Sequence, residues 1–276
     1  MTTIDATSRE HNTVEPVAII GMSCRLPGGV ENPSDFWRLL CDGVDPIAEV
    51  PADRWNLKTI YDEDRARKGK AYVRQAGFIS HFDEFDAPFF GISRREAECM
   101  DPQQRWLLEV AWEAFESAGL PTEKMSGSET GVFVGLFTRD FETLQLSSVN
   151  RDLIDAHTGV GTSMGIAANR ISYAFNLTGP SLTIDTACSS AMVALHYACQ
   201  SLRAGECTVA LAGGVNALLR AEMTIATSKA SMLSVDGRSK SFDASANGYV
   251  RSEGVGLVVL KPLARAIADG DPILAV

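Results

Sequence analysis

The stretch SLTIDTACSS at residues 181–190 decides the fold class, because a short apolar strand pattern runs there into a turn and then a helix. After Cys188, apolar residues recur at helical spacing, and no Asp, Glu, Lys or Arg appears until Arg203. The pattern therefore predicts a strand, a tight turn and a buried helix that ends at Gly205.

Four further apolar runs predict strands, and their continuous character is typical of strands that are covered on both faces. These runs lie at residues 17–20, 132–134, 209–212 and 257–260. Helical patterns separate them: one begins near Ser34, one is capped by Asp101 and ends before Gly119, and one covers residues 163–176. The alternation predicts an α/β fold with a mostly parallel sheet.

Residues 41–90 interrupt this alternation. They are rich in Pro, Asp and aromatic residues, which predicts an insertion packed on the outside of the fold. Within it, residues 65–74 carry five positive charges. Two interpretations stay open: a patch that holds an acidic partner, or a solvated basic loop, which is the more common case.

The overall composition argues against several classes of protein. The 276 residues include 25 Lys and Arg against 35 Asp and Glu, giving a net charge of −10, whereas a nucleic-acid-binding protein presents a basic face. The apolar runs are too short to span a bilayer. Residues 1–15 lack the apolar core of a secretory signal and are predicted to be a disordered leader. We expect a cytoplasmic protein with no nucleic-acid or membrane partner.

Metal and dinucleotide sites receive little support from the sequence. No two of the six cysteines have C-x-x-C spacing, and His196 with Cys199 would supply only two ligands, so we predict no metal site and free thiols in a reducing compartment. The glycines at 159, 161 and 165 are spaced one residue too far apart for the dinucleotide fingerprint. We interpret them as a loop followed by a helix start.

Cys188 is the candidate catalytic residue. At the start of a helix, unpaired backbone N–H groups and the positive end of the helix dipole favour a thiolate and can stabilise an oxyanion. The strand–turn–helix pattern matches a nucleophile elbow with Cys in place of Ser. The alternative is a small buried cysteine. We assign that alternative to the other five cysteines: Cys24, Cys41, Cys99, Cys199 and Cys207.

An ordered set of motifs from residue 16 onward resembles the N-terminal half of a β-ketoacyl synthase, specifically the ketosynthase domain of a type I polyketide synthase. The matching motifs are PVAIIGMSCRLPGG (16–29), FWRLL (36–40), FFGIS (89–93), MDPQQR (100–105), GPSLTIDTACSS (179–190), LAGGVN (211–216), SFDASANGYVRSEGVG (241–256) and ILAV (273–276).

The resemblance implies a thiolase-like α/β fold, of which this chain is the N-terminal half: a layered α-β-α-β-α arrangement with a mostly parallel mixed sheet. Residues 16–268 then form the N-terminal β-ketoacyl synthase domain. Residues 269–276 begin a truncated C-terminal half, because the chain ends inside a strand-like run. The part of 241–256 that holds Phe242, Asp243 and the glycines 248, 254 and 256 is interpreted as a structural loop near the site.

The resemblance also implies a reaction, in polyketide or fatty-acid-like biosynthesis. Cys188 accepts an acyl chain from the phosphopantetheine thioester of an acyl carrier protein, for decarboxylative Claisen condensation with a malonyl-type extender. Its backbone N–H is the implied oxyanion donor, and no cofactor is bound directly. Cys at this position, where loading domains have Gln, implies an elongating enzyme. The implied partners are the acyl carrier protein, a downstream acyltransferase and other synthase domains, and a second copy that pairs along strand 182–184.

One departure limits the functional prediction. The family uses two histidines in motifs that this chain lacks, since its only histidines are His11, His81, His157 and His196. Two alternatives therefore stay open: a thiolase or hydrolase with the same cysteine elbow, and a truncated ketosynthase without condensing activity that acts at most as an acyl acceptor or a binding and dimerisation module. The acyl chain length, the extender and the downstream domains are not determined by the sequence.

Overall fold

A five-stranded mixed sheet forms the centre of the molecule in the computed structural model, which describes residues 15–276. Its strand order is β1-β7-β6-β4-β5. The strands are β1 (Val17–Arg25), β4 (Thr130–Leu136), β5 (Ser181–Ile184), β6 (Val209–Asn216) and β7 (Gly254–Pro262). A separate antiparallel pair consists of β2 (Ala48–Glu49) and β3 (Gln75–Ala76). Apart from Glu15, the predicted leader lies outside the described residues.

All five predicted strands are confirmed, and the sheet is mixed as expected. Strand β4 pairs in parallel with both β5 and β6, whereas β7 is antiparallel to both β1 and β6. Because β1 and β6 are both antiparallel to β7, the four strands β1, β4, β5 and β6 run in one direction and only β7 runs against them, so the predicted mostly parallel mixed sheet is confirmed. A continuous apolar run shows that a strand is covered on both faces but does not show its direction.

Eleven α-helices and two short 3-10 helices surround the sheet within residues 15–276. The α-helices are α1 (Pro33–Cys41), α2 (Leu57–Ile60), α3 (Arg94–Cys99), α4 (Pro102–Ser117), α5 (Thr122–Met125), α6 (Asp140–Gln145), α7 (Thr158–Thr162), α8 (Ile166–Ala174), α9 (Ser190–Ala204), α10 (Glu222–Lys229) and α11 (Leu263–Asp269). The 3-10 helices are Ser148–Leu153 and Ala187–Ser189. None of the described helices combines the length and apolarity that crossing a bilayer would require.

Helix α4 covers one face of the sheet and forms as predicted. Asp101 caps it by accepting a hydrogen bond from Gln103 N at 2.8 Å, and Pro102 occupies its first position. The helix packs closely on β1 at Gly21, where a Cβ would lie 2.5 Å from the carbonyl oxygen of Ala114. The cap of helix α1 lies two positions earlier than expected, at Asn32 instead of Ser34.

Helix α9 covers the opposite face with one side only. Ala194, Ala198 and Leu202 are buried together with Phe133 of β4. Met192 and Tyr197, however, are 68% and 50% exposed. The prediction that this helix is buried is therefore wrong for the described residues, because an apolar sequence identifies a helix that can be covered but not the element that covers it.

The segment at residues 41–90 is more than an external insertion, which corrects the prediction. Its Arg54 forms a buried ion pair with Glu253, with side chains 1% and 0% exposed. Arg54 Nε donates to Glu253 Oε1 at 3.0 Å and Nη2 to Oε2 at 2.9 Å. The guanidinium also stacks on Phe82, 3.8 Å from the ring centre. The pair fixes the segment to the chain immediately before β7.

Candidate active site

Cys188 lies in the 3-10 turn between β5 and α9, where its side chain is exposed and lines an open cleft of about 360 Å³. The cleft is formed by the carboxyl ends of β4 and β6, the turn, and residues 249–254 before and at the start of β7. Its lining residues include Leu136, Phe137, Ala187, Ser190, Asn216, Tyr249, Arg251 and Glu253.

The turn that presents Cys188 is held by short-range hydrogen bonds. Ala187 has a left-handed backbone, with φ of +57°, which is strained for a residue with a Cβ. Its N–H donates to Asp185 Oδ1 at 3.0 Å. The hydroxyl of Ser190 accepts from Thr186 N at 2.9 Å and donates to the carbonyl of Ala187 at 2.6 Å. A strained turn between a strand and a helix, with the nucleophile directly after it, is the geometry of a nucleophile elbow.

Two glycines let the start of α9 touch the strands beneath it. A Cβ on Gly135 of β4 would lie 2.3 Å from the backbone nitrogen of Ala191. A Cβ on Gly214 of β6 would lie 2.8 Å from the Cβ of Ala191. Ala191 at the start of α9 is therefore packed directly on both strands in the floor of the cleft, and this packing fixes the height of the turn above the sheet.

The predicted position of Cys188 at a helix start is confirmed, although α9 itself begins two residues later, at Ser190. Amide groups at the start of a helix lack intrahelical acceptors and carry the positive end of its dipole. They supply a favourable environment for negative charge on sulfur or on an oxygen bound beside it. The roles of nucleophile and oxyanion donor stay predictions.

The other cysteines differ from Cys188 in position. Cys207 is buried, and desolvation raises the pKa of its thiol to about 11. Burial also raises the thiol pKa of Cys24, Cys99 and Cys199, which are partly exposed. The expectation that all five are buried is therefore confirmed only for Cys207, and it is wrong for Cys41, whose side chain is exposed at the end of the surface helix α1.

The wall of the cleft at residues 249–254 is fixed at several points. Asn216 accepts a hydrogen bond from the hydroxyl of Thr138 and donates to the carbonyl of Ser252 at 2.7 Å. The Glu253 carboxylate accepts from Leu218 N at 3.0 Å and from Ile79 N at 2.8 Å, in addition to Arg54. Sequence analysis missed this wall, because Arg54 and Glu253 are 199 positions apart and each alone resembles a surface charge.

A second polar group joins the ends of β4 and β6 below the cleft. Gln103 Nε2 donates to the carbonyl of Thr138 at 3.0 Å, and Gln103 Oε1 accepts from Ala217 N at 3.2 Å. Gln103 Nε2 also donates to the carboxylate of Asp101 at 3.1 Å. Burial raises the pKa of that carboxyl to about 6 despite these bonds, since desolvation is the largest effect. The sequence identified Asp101 only as a helix cap.

The histidines do not line the cleft within the described residues. His81 is exposed and lies 2.9 Å from Glu84, His157 precedes α7, and His196 is exposed on α9. His11 lies outside the described residues. In the described part of the chain, no group of three or more His, Cys, Asp or Glu side chains is arranged to hold a metal ion.

The remaining predicted segments have structural roles. The glycines at 159 and 161 lie in α7, and a Cβ on Gly161 would meet the carbonyl of Cys99 at 2.0 Å. The loop interpretation is confirmed around Phe242, which is fully exposed with φ of +66°. It is also confirmed at Gly248, whose φ is +138°. The loop interpretation is wrong for the glycines at 254 and 256, which belong to β7.

The family model for the β-ketoacyl synthase N-terminal domain matches residues 14–266. The chain belongs to the β-ketoacyl synthase family. This is a family of condensing transferases, and two of the motifs that carried the resemblance, GPSLTIDTACSS and LAGGVN, fall on β5, the turn that holds Cys188, and β6.

Curated relatives place this β-ketoacyl synthase domain among polyketide synthases. It is 52% identical over 262 residues to one component of the phenolphthiocerol/phthiocerol polyketide synthase of Mycobacterium tuberculosis (strain CDC 1551 / Oshkosh), covering 95% of this chain and 14% of the relative. Another component of that synthase, from the same strain, is 48% identical over 262 residues, covering 95% of this chain and 17% of the relative. The chain thus spans less than one-fifth of these relatives.

Solved ketosynthases share the fold. A ketosynthase domain for oxazolomycin from Streptomyces albus JA3453 superposes with a TM-score of 0.89 at 41% identity, covering 95% of this chain and 44% of that chain. The ketosynthase from module 6 of the bacillaene synthase of Bacillus subtilis 168 gives 0.82 at 38% identity, covering 93% of this chain and 42% of that chain. The predicted thiolase-like fold is confirmed, and the chain spans less than half of each solved ketosynthase.

Proposed function

We propose that Cys188 accepts an acyl group from a carrier-protein thioester and holds it for decarboxylative condensation with a malonyl-type extender. The observation that carries this proposal is the position of an exposed thiol at the start of α9, inside a cleft, in a member of the β-ketoacyl synthase family. This position combines accessibility with stabilisation of negative charge.

The first step is transfer of the acyl group. The Cys188 thiolate attacks the carbonyl carbon of the donor thioester, and the carbonyl oxygen becomes an oxyanion. The backbone N–H of Cys188 and its neighbours at the helix start donate to this oxygen. The carbon–sulfur bond to the donor then breaks, the phosphopantetheine sulfur leaves with a proton, and the acyl group remains on Cys188.

The second step forms the carbon–carbon bond. The extender loses its carboxylate as carbon dioxide, and the resulting carbanion attacks the thioester carbonyl on Cys188. The Cys188 thiolate is released, and a β-ketoacyl product leaves on the carrier. Negative charge on the extender's thioester oxygen needs positioned donors. No histidine among residues 15–276 lines the cleft, so we assign these donors to the two histidines that the family resemblance implies.

A second candidate function follows from the same observation. Because no histidine of residues 15–276 lines the cleft, this candidate assigns acyl acceptance and not condensation to the 276-residue chain by itself. This candidate shares the nucleophile with the first and differs only in the second step, so the two are separated by measuring carbon dioxide release.

The proposed partners follow from the reaction and from the sheet edge. The acyl carrier protein delivers the substrate on phosphopantetheine, no cofactor binds directly, and acyltransferase and other synthase domains act with this one.

We further propose a homodimer through β5. This strand is at the sheet edge, pairs only with β4 among the described residues, and has Leu182 45% exposed. Six free cysteines support a cytoplasmic location.

The test of the nucleophile compares two exposed thiols. We expect an acyl-N-acetylcysteamine thioester to add one acyl group to the 276-residue chain, located on Cys188 by peptide mass spectrometry. Cys188→Ala removes the adduct, whereas Cys41→Ala, which removes the other exposed thiol, leaves it. Iodoacetamide is the reactivity control, because it reacts with any accessible thiolate. Acylation of Cys41 with Cys188 unmodified would contradict the proposal.

The test of condensation adds malonyl carrier protein to the acylated chain. We expect no release of carbon dioxide from residues 1–276 alone, and release from a ketosynthase that includes the second half of the family fold. Turnover by the 276-residue chain at the rate of the longer protein would show that our assignment of the missing donors is wrong.

A further inference from the structure

Arg251 is a partly buried cation in the wall of the Cys188 cleft. Its guanidinium makes one side-chain hydrogen bond within residues 15–276, from Nη1 to the hydroxyl of Thr224 at 2.7 Å. No carboxylate of the described residues lies within ion-pair distance of it, unlike Arg54 or Arg220, each of which has such a partner. A cation that is partly removed from water and has no direct ion-pair partner is costly, so its retention calls for a function.

The acidic groups nearest to Arg251 are already occupied. Asp140 accepts hydrogen bonds from the backbone N–H groups of Leu219 and Arg220, at 3.0 and 2.9 Å. The Glu253 carboxylate accepts four donors, two from Arg54 and one each from the Ile79 and Leu218 amides. The charge of Asp140 acts on Arg251 from a distance, but neither carboxylate forms a hydrogen bond or an ion pair with it.

The remaining N–H groups of Arg251 are accessible. Among the described residues that are not exposed, only Arg105 Nε and Ser228 Oγ are fully buried side-chain polar atoms without a partner. The guanidinium nitrogens of Arg251 are therefore either bonded, as Nη1 is, or in contact with solvent. Arg251 lines two cavities, a narrow one of about 10 Å³ that it shares with Thr224 and the Cys188 cleft of about 360 Å³, and the cleft is the one with room for a ligand.

The backbone that carries Arg251 is rigid. Gly77 N donates to the Arg251 carbonyl at 3.0 Å, and Glu253 N donates to the Gly77 carbonyl at 2.9 Å. Ser252, between them, is held by Asn216. A residue whose backbone is fixed in this way is preorganised, so less conformational entropy is lost when a ligand binds to it.

We propose that Arg251 is a specificity-determining residue that donates hydrogen bonds to an oxygen atom on the acyl chain carried by Cys188. This inference rests on the proposed function. The product of the condensation carries an oxygen on its third carbon, so an acyl chain from an earlier condensation of the same kind arrives with that oxygen unless it has been removed. The extender carboxylate is a poorer occupant, because a tight ion pair with Arg251 would stabilise it against loss as carbon dioxide.

The test is a ratio of two acylation rates on the full chain. The probes are the N-acetylcysteamine thioesters of 3-hydroxybutanoate and butanoate, which differ by one oxygen, and adduct formation on Cys188 is followed by intact-protein mass spectrometry. We expect the 3-hydroxy probe to react faster. Arg251→Met should lower the ratio about tenfold, the effect of losing one charge-assisted hydrogen bond. Arg94→Met, which removes an exposed arginine of α3, should leave the ratio unchanged.

Two further variants keep the inference falsifiable if Arg251→Met does not fold. Thr224→Val removes the acceptor that orients the guanidinium and should lower the ratio, whereas Thr224→Ser should preserve it. An unchanged ratio in Arg251→Met, or in Thr224→Val, would overturn the inference while acylation itself proceeds. Acylation by neither probe would instead overturn the proposed function on which the inference rests.

Discussion

Arg54 and Glu253 meet through two parallel hydrogen bonds of 3.0 and 2.9 Å, inside the protein and 199 positions apart in the chain. The pair fixes the segment at residues 41–90 to the wall of the Cys188 cleft. Both charges are removed from water, so either charge would destabilise the folded protein if its partner were absent.

Removing one partner of this pair is expected to be strongly destabilising. Arg54→Met leaves the Glu253 carboxylate buried without its counter-charge and should lower the free energy of unfolding by about 3 kcal/mol or more. The double variant Arg54→Met with Glu253→Met should lose less than the sum of the single changes. Urea unfolding gives these values. The control, Arg94→Met, breaks an exposed pair and should leave the free energy of unfolding nearly unchanged. Additive losses would show that the two charges are not coupled.

Gly135 should not tolerate a side chain. In Gly135→Ala the new Cβ meets the backbone nitrogen of Ala191 at 2.3 Å, so the start of α9 has to move away from β4. We expect a loss of about 2 kcal/mol in stability and a larger fractional loss in the acylation rate of Cys188. Gly159→Ala is the matched control, because its Cβ meets nothing within 4 Å. Equal acylation rates in the two variants would contradict the role that we assign to Gly135 in the floor of the cleft.

Asp101 should make stability depend on pH. Its pKa is raised from 3.8 to about 6 in the folded protein, so between these values the folded state binds more protons than the unfolded state. Ionisation of Asp101 therefore does not lower the free energy of unfolding below about pH 3.8, and it lowers it by its full amount above about pH 6. Asp101→Asn keeps the helix cap but does not ionise. Its stability relative to wild type should rise by about 3 kcal/mol between pH 4 and pH 7.

This comparison is made by urea unfolding at each pH. The control is Asp152→Asn, at an exposed position in the 3-10 helix Ser148–Leu153. It should follow the wild-type pH profile. A constant difference between Asp101→Asn and wild type over this range would show that Asp101 does not titrate as described.

The sheet edge at β5 should be an interface between two copies. Leu182→Glu places a charge on the exposed edge and should shift a dimeric ketosynthase toward monomer in sedimentation velocity. Tyr173→Glu is the control, because Tyr173 is 89% exposed on α8, which is not a sheet edge. A wild-type protein that sediments as a stable monomer would contradict the dimer proposal.

The basic residues at 65–74 provide a prediction about the carrier protein. Several of their charges are engaged within the chain: Arg67 lies 3.9 Å from Asp62, and Arg74 lies 3.7 Å from Glu49. These contacts favour the interpretation as a solvated loop. Exposed Lys68 has no such ion pair among the described residues, so Lys68→Glu should slow acylation from the carrier protein but not from N-acetylcysteamine thioesters if an acidic partner binds here. Equal rates from both donors would remove the docking hypothesis.

Local patterns predicted the elements of this fold well. The five apolar runs became the five strands, Asp101 capped α4, and Gly205 ended α9 in a left-handed conformation. Cys188 was placed correctly because its signal, a strand followed by a turn and a helix, lies within ten residues. Each of these features depends on interactions between near neighbours in the chain.

Long-range features of the fold and site could not be predicted in the same way. Strand direction in β7 and the partners of Arg54 and Arg251 depend on contacts between residues far apart in sequence. Exposure of α9 depends on what packs against it, which an apolar pattern does not specify. A charge that is buried and paired has the same sequence signature as a charge at the surface.

The glycine floor beneath Cys188 has a consequence for redesign of this enzyme. Gly135 meets the backbone of Ala191 and Gly214 meets the Cβ of Ala191, so a side chain at either position displaces the start of α9 instead of enlarging the pocket. Variation in substrate size has to come from the opposite side, where Phe137 and Tyr249 contribute side chains to the cleft. Under the proposed function, mutagenesis directed at those two positions is expected to alter the accepted acyl chains while the position of Cys188 stays constant.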